Sequence, residues 1–411
     1  MKIIFIISII LFASIKPLEE YSGSHTVVLN DASSTIDGTS LSTTSINGVS
    51  YNSGVVSITS SGTYILSGTL NGQVSISVGS TDKVVIVLNG VSIASSSSNG
   101  IIFLKAYEID SSSSFSYSTA KSLSFDDTGA KIIIADGSEN SITGTKSSDG
   151  DGAIHSVVTL LITGETSSNG VLNVIGTKEG IEVEKHLFIN GGVLNIAAQD
   201  DGINVKNAYI CIVRGGKVLI NSGLGSEGDG IDSNGYILID GGEIISAASP
   251  NADTGLDADQ ETIIDGGNVI SVGSSMDMAS TQSSQPAMNL IFSSSVSSSS
   301  TLTIKDSDGN LITSFCANDA DFQSGTSRRS YTAAVVSHTS FTSNSVYHLY
   351  LDGTQLGYTG NDSGSSSGPG GQGGPGGHGS SSSSSSSSST IYTDFTLSST
   401  VKYFSGVQKA L

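Results

Sequence analysis

Hydrophobic positions between residues 150 and 273 recur in step. An apolar residue follows glycine at Gly152-Ala153-Ile154, Gly180-Ile181, Gly202-Ile203, Gly230-Ile231 and Gly255-Leu256. A double glycine returns at Gly191-Gly192, Gly215-Gly216, Gly241-Gly242 and Gly266-Gly267. Both landmarks repeat about every 25 residues, a period that marks stacked structural repeats. The segment before each double glycine alternates, with Leu187 and Ile189, Cys211 and Val213, Ile237 and Ile239, then Thr262 and Ile264. The segment after it carries another apolar column, Leu194, Val218, Ile244 and Val269. Period-two alternation turns one face of a strand to a core and the other to solvent. Short strands with glycine corners predict an all-β, parallel β-helix of three strands per coil. The regular Leu frame of leucine-rich repeats is missing. Strand crossovers favour the right hand, so a right-handed coil is expected.

The same reading divides the chain. Residues 1–15 carry Lys2 and an apolar run from Ile3 to Ala13, the pattern of a cleaved signal peptide and too short to span a bilayer. The parallel β-helix is expected over 25–273, with irregular strand-rich turns upstream and a Ser-rich insertion at 109–130. After Gly273 the period is lost. Alternating segments and the turn Asp308-Gly309-Asn310 predict a small antiparallel β domain over 274–360. Gly, Pro and Ser dominate 361–390, a linker composition that begins at the sequon Asn361-Asp362-Ser363. A polar tail, 391–411, closes the chain.

Composition sharpens this picture. The chain has 50 Gly, no Trp and 13% charged residues, and it is poor in the residues that build long amphipathic helices. Its 37 acidic and 17 basic residues give a net charge of −20, which disfavours nucleic acid and anionic membrane as partners and favours cations. Cys211 and Cys316 form no disulfide framework. A secreted monomer without a membrane span is expected.

The acidic residues fall at one place in the repeat. Asp151, Glu179, Asp201 and Asp229 stand immediately before the glycine, and Asp149, Asp200, Glu227 and Asp253 precede them. Glu182, Asn204, Asp232 and Asp257 follow two residues after it. Asp-Gly is also an ordinary turn dipeptide, in which glycine supplies positive φ. Asparagine would serve that turn equally well, yet it occurs only at Asn204. Strands in adjacent coils lie about 4.8 Å apart. Two carboxylates at that spacing repel by about 1 kcal/mol in water and about 3 kcal/mol at an effective dielectric of 20. A hard cation relieves this, and oxygen-only donors select Ca2+ over zinc, copper or iron. The candidate calcium ligands are Glu179, Glu182, Asp200, Asp201, Asp229, Asp232, Asp253 and Asp257.

Several of these motifs resemble a bacterial family of secreted carbohydrate-binding β-helix domains, similar in fold to pectate lyases. The resemblance covers roughly residues 54–360. It rests on the stretch from Gly62 to Leu70, on Val87-Leu88-Asn89-Gly90-Val91, on Asp200-Asp201-Gly202-Ile203, on Ile239-Asp240-Gly241-Gly242 and on Lys305 to Gly309. It implies calcium in the acidic loops and binding to plant-type polysaccharide, either cellulose or pectic polymers. The chain departs from the family in its insertion at 109–130 and in Lys178 and Asn204. The function expected first is calcium-dependent polysaccharide binding, with Tyr51, Tyr64, Tyr107, Tyr209 and Tyr236 as sugar platforms in place of Trp. The alternatives are a polyuronate lyase acting by β-elimination, for which Lys206 is the candidate base, and a structural or adhesive wall protein. A lysine among carboxylates more often pairs with them than serves as a base.

Overall fold

The computed structural model describes residues 23–109, 117–122, 127–249, 252–274, 277–322, 330–362 and 390–410. The signal-peptide segment, most of the Ser-rich linker and parts of the 109–130 insertion lie outside the described residues. Among the described residues the fold is all-β. The exceptions are a six-residue helix, Tyr117–Ser122, and a 3-10 turn, Ala317–Ala320.

The expected right-handed β-helix with three separate strands per coil is not what forms. Six strands close a ring of parallel pairings: Val84–Ala94, Ala130–Ile134, Leu160–Gly164, Leu187–Ala198, Val171–Gly176 and Glu139–Gly144, which returns to Val84–Ala94. Around this closed barrel the sheet extends to 22 strands, and a separate sheet has nine. The reason lies at the glycines. They were counted as strand breaks, but Leu187–Ala198, Cys211–Asn221, Ile237–Ala247 and Thr262–Gly273 each run through their double glycine as one strand. Gly192 has φ +82°, which bends the strand and shifts its register without ending it. One long strand therefore takes part in two sheet segments and closes the ring.

The apolar columns are buried. Leu187 aligns with Cys211, Ile237 and Thr262, and Leu194 with Val218, Ile244 and Val269, and all eight are at most 2% exposed. The opposite face differs from the expected alternation. Leu161, Phe188, Ile212, Leu238 and Ile263 align across the same strands and form a second buried cluster, against which Ile109 and Tyr236 pack. These strands are thus covered on both faces, as the continuous apolar run from Leu187 to Ile189 reflects.

Beyond Gly273 the pairing turns mixed. Tyr331–Ser337 pairs antiparallel with both Thr262–Gly273 and Ala287–Val296, and Val401–Lys409 pairs parallel with Ala287–Val296. The last described strand of the chain is therefore built into the sheet. A second core, with Phe315, Tyr331, Phe395 and Phe404, lies beneath it.

Candidate functional site

The nine-stranded sheet positions the acidic residues. Its strands Gly152–Ser156, Glu179–Val183, Ile203–Val205, Ile231–Ser233 and Leu256–Ala258 pair in parallel. Their register stacks His155, Glu182, Asn204, Asp232 and Asp257 in one column. The residues before the repeated glycine form a second column, because Gly180 N–H donates to Asp201 O at 3.0 Å and Gly202 N–H to Asp229 O at 2.9 Å.

The repeated glycine has a different role from the one a turn would give it. Gly180, Gly202, Gly230 and Gly255 are absent from the positive-φ residues. A Cβ on Gly202 would instead lie 2.7 Å from Gly230 O, and one on Gly230 would lie 2.3 Å from Gly255 O. Close approach of successive repeats, rather than a left-handed backbone, demands glycine here.

The edge divides in two. At its first half lysines neutralise the acids. Lys178 Nζ lies 2.7 Å from Asp200, 3.2 Å from Asp151 and 3.4 Å from Glu179. Burial alone would lower the Lys178 pKa, but Asp200 and Glu179 hold it above the usual lysine range. The Asp151 carboxyl is lowered, with Lys146 and Lys178 outweighing its burial. Glu182 is fully buried and ion-paired to Lys206, and it accepts from His155 Nδ1 at 2.7 Å and from the Asp151 amide. Burial pushes the His155 pKa down. The structure thus separates Glu179, Glu182 and Asp200, which are paired with lysines, from the other candidate ligands. It also places the candidate base Lys206 in an ion pair.

The second half holds Asp201, Asp229, Asp232, Asp253 and Asp257. Among the described residues none of these five forms a salt bridge. Asp277 joins them through a hydrogen bond with Asp257, while its Oδ2 accepts the Ala258 amide at 2.9 Å. The period does not reach Asp277. Its one signal in the sequence is that it is the lone acid between Asp265 and Asp306. Asp201 Oδ1 accepts from the Asp229 amide at 2.8 Å, and Asp229 Oδ1 accepts from the Thr254 amide at 2.6 Å. One oxygen of each carboxylate therefore ties successive repeats together. The Asn204 amide donates to Glu179 Oε1 and Asp201 Oδ2, both at 3.2 Å. Among the described residues, Glu179 Oε2, Asn204 Oδ1 and Asp253 Oδ2 are buried without a hydrogen-bond partner.

Electrostatics follow from this crowding. Burial, reinforced by the neighbouring carboxylates, pushes Asp229 up to about 8 and Asp232 up to about 7. Burial likewise raises Glu179 to about 7 and Asp201 to about 6, and it raises the interacting pair Asp257 and Asp277. Ionising the strip places like charges together in a poorly solvated setting. Among the described residues no three of these side chains close on one point as a finished metal cage. The donors form a strip of oxygens, and calcium also accepts carbonyl and water oxygens. The all-oxygen donor set, with Asp253 Oδ2 buried and unpartnered among the described residues, suits a hard cation, which Asp201, Asp229, Asp232, Asp253, Asp257 and Asp277 would hold.

The tyrosines fit a platform role less well. Tyr64 and Tyr209 are buried, and the Tyr51 hydroxyl donates to Asp31 O at 2.5 Å. Tyr392, in contrast, is 54% exposed.

The parallel strands of the nine-stranded sheet thus carry a long polar edge. The sequence model of the family described as carbohydrate-binding domain-containing protein matches residues 52–330 of the 411, and this chain belongs to that family. No curated protein matches it. Among solved structures it is similar to the polysaccharide lyase-like protein from C. thermocellum, solved as a gadolinium derivative. The two are 23% identical, with a TM-score of 0.42, and the match covers 59% of this chain and 92% of that one.

Proposed function

We propose that this protein is a calcium-dependent polysaccharide-binding protein that captures polyuronate chains along its acidic edge. The observation that carries the reading is the strip Asp201, Asp229, Asp232, Asp253, Asp257 and Asp277. Its carboxylates have no basic partner among the described residues, while lysines neutralise their neighbours at Asp200 and Glu182. Calcium, when bound, supplies positive charge that both the protein and a uronate carboxylate can share. The chain's own residues present acceptor oxygens in register along the edge and exclude water from the buried ones. Membership of a carbohydrate-binding family supports the polymer class. The apolar run Ile3 to Ala13 supports export, where such polymers are met. The polyuronate lyase alternative needs an available base, and the ion pair between Lys206 and Glu182 weighs against that residue. Co-sedimentation with polygalacturonate tests the proposal. Binding is expected in calcium and is expected to fall at least tenfold after chelation. Equal capture in calcium and in EDTA would refute it.

A further inference from the structure

The acidic edge continues toward the start of the chain, and there it loses its charge. The turns before the strands Gln73–Ser77 and Ile101–Lys105 occupy the same corner of the nine-stranded sheet as Asp151 and Glu179 do in later repeats. A groove of about 470 Å³ opens at this corner. Its lining includes Asn71, Gln73, Ser96, Ser97, Thr143 and Thr177 with Gly54 and Gly72, and among the described residues none that lines it is ionisable. In a chain of net charge −20 this is a distinct chemical environment.

The groove is built rather than incidental. A Cβ on Gly72 would lie 1.9 Å from Gly54 O, so at these two lining residues the backbones of successive repeats are in close contact. Asn71 is held by the Asp31 carboxylate, which accepts from both its backbone and side-chain amides. The Gln73 side-chain amide donates to Asn99 O at 3.2 Å, and the Ser95 and Ser98 hydroxyls lie 2.8 Å apart. These bonds engage the amide N–H groups of Asn71 and Gln73, while Ser96 and Ser97 in the same lining are exposed. Ligand sites commonly enclose about 300–1,000 Å³, which leaves room here for a short oligosaccharide.

We infer that this groove is a subsite for neutral glycosyl residues, read by amides and hydroxyls and indifferent to calcium. Sugar hydroxyls both donate and accept, and such lining groups can match them without the desolvation cost that a charged group would impose. The inference rests on the polysaccharide-binding reading and extends it. A polymer lying along the edge would place uncharged residues in the groove and carboxylated ones at the acidic strip.

The test is calorimetric titration of the full chain with the neutral hexasaccharide cellohexaose in EDTA. Polygalacturonate capture in calcium is measured on the same preparation. The hexasaccharide is expected to bind without calcium. Ser97→Trp and Ala94→Trp fill the groove from exposed positions and are expected to weaken that binding at least tenfold at an unchanged melting temperature. Equal hexasaccharide binding by the filled variants overturns the inference. So does its absence from a wild-type protein that still captures polygalacturonate. Failure to bind either ligand overturns the underlying reading as well.

Discussion

At Asp229 the two carboxylate oxygens have different roles. Oδ1 accepts the Thr254 amide and joins two repeats, whereas the charge of the group is opposed by Asp257, Asp201 and Asp253. Asparagine keeps an acceptor for that amide and removes the charge. Asp229→Asn is therefore expected to raise the stability of the calcium-free protein at neutral pH, because burial and the neighbouring carboxylates oppose the charge that it removes. On the proposed calcium site, the same variant is expected to lose most of the stabilisation that added calcium would give. Thermal unfolding of both proteins in EDTA and in calcium checks the pair of effects, and a calcium-free variant less stable than wild type would show that the charge itself supports the fold. Glu182, drawn from the same sequence column, belongs to a different arrangement. Its partners His155 and Lys206 come from neighbouring repeats, and a pattern in sequence does not reveal which acid a lysine will reach.

At the scale of strands, the columns Leu187 to Thr262 and Leu194 to Val269 were legible because burial imposes a period of two. The double glycines were legible as landmarks and misread as breaks, since a bend with a register shift and a chain-reversing turn use the same residue. The outer column was visible too, in Phe188, Ile212, Leu238 and Ile263, but the rule of one buried face concealed it. Truncating Leu238→Ala is expected to cost about 2–5 kcal/mol, as for a core leucine. A solvent-facing position would change stability by less than about 0.5 kcal/mol. Chemical denaturation distinguishes the two, and a small effect would show that this face is only lightly covered. Asp277 had no such signal, because it joins the strip from beyond the last repeat, through pairing that no local pattern encodes.

At the scale of the whole molecule, one edge of the nine-stranded sheet carries three environments in order: a neutral groove, a stretch where lysines answer carboxylates, and a strip of carboxylates alone. The account centres on that strip as a cation site, and pH exposes it. Asp201, Asp232 and Asp229 have folded-state pKa values of about 6, 7 and 8 against 3.8 for an ordinary aspartate. The folded chain therefore holds more protons than the unfolded one through this range, and stability falls as pH rises through it. The depressed His155 pKa acts in the opposite sense, but only below its ordinary 6.5. The most direct measurement is the melting temperature between pH 6.5 and 8.5, with calcium and with EDTA. With the strip as a cation site, the melting temperature in EDTA is expected to fall with rising pH and the fall to be abolished by calcium, so that the gap between the two curves widens toward pH 8.5. Coincident curves across that range would contradict it.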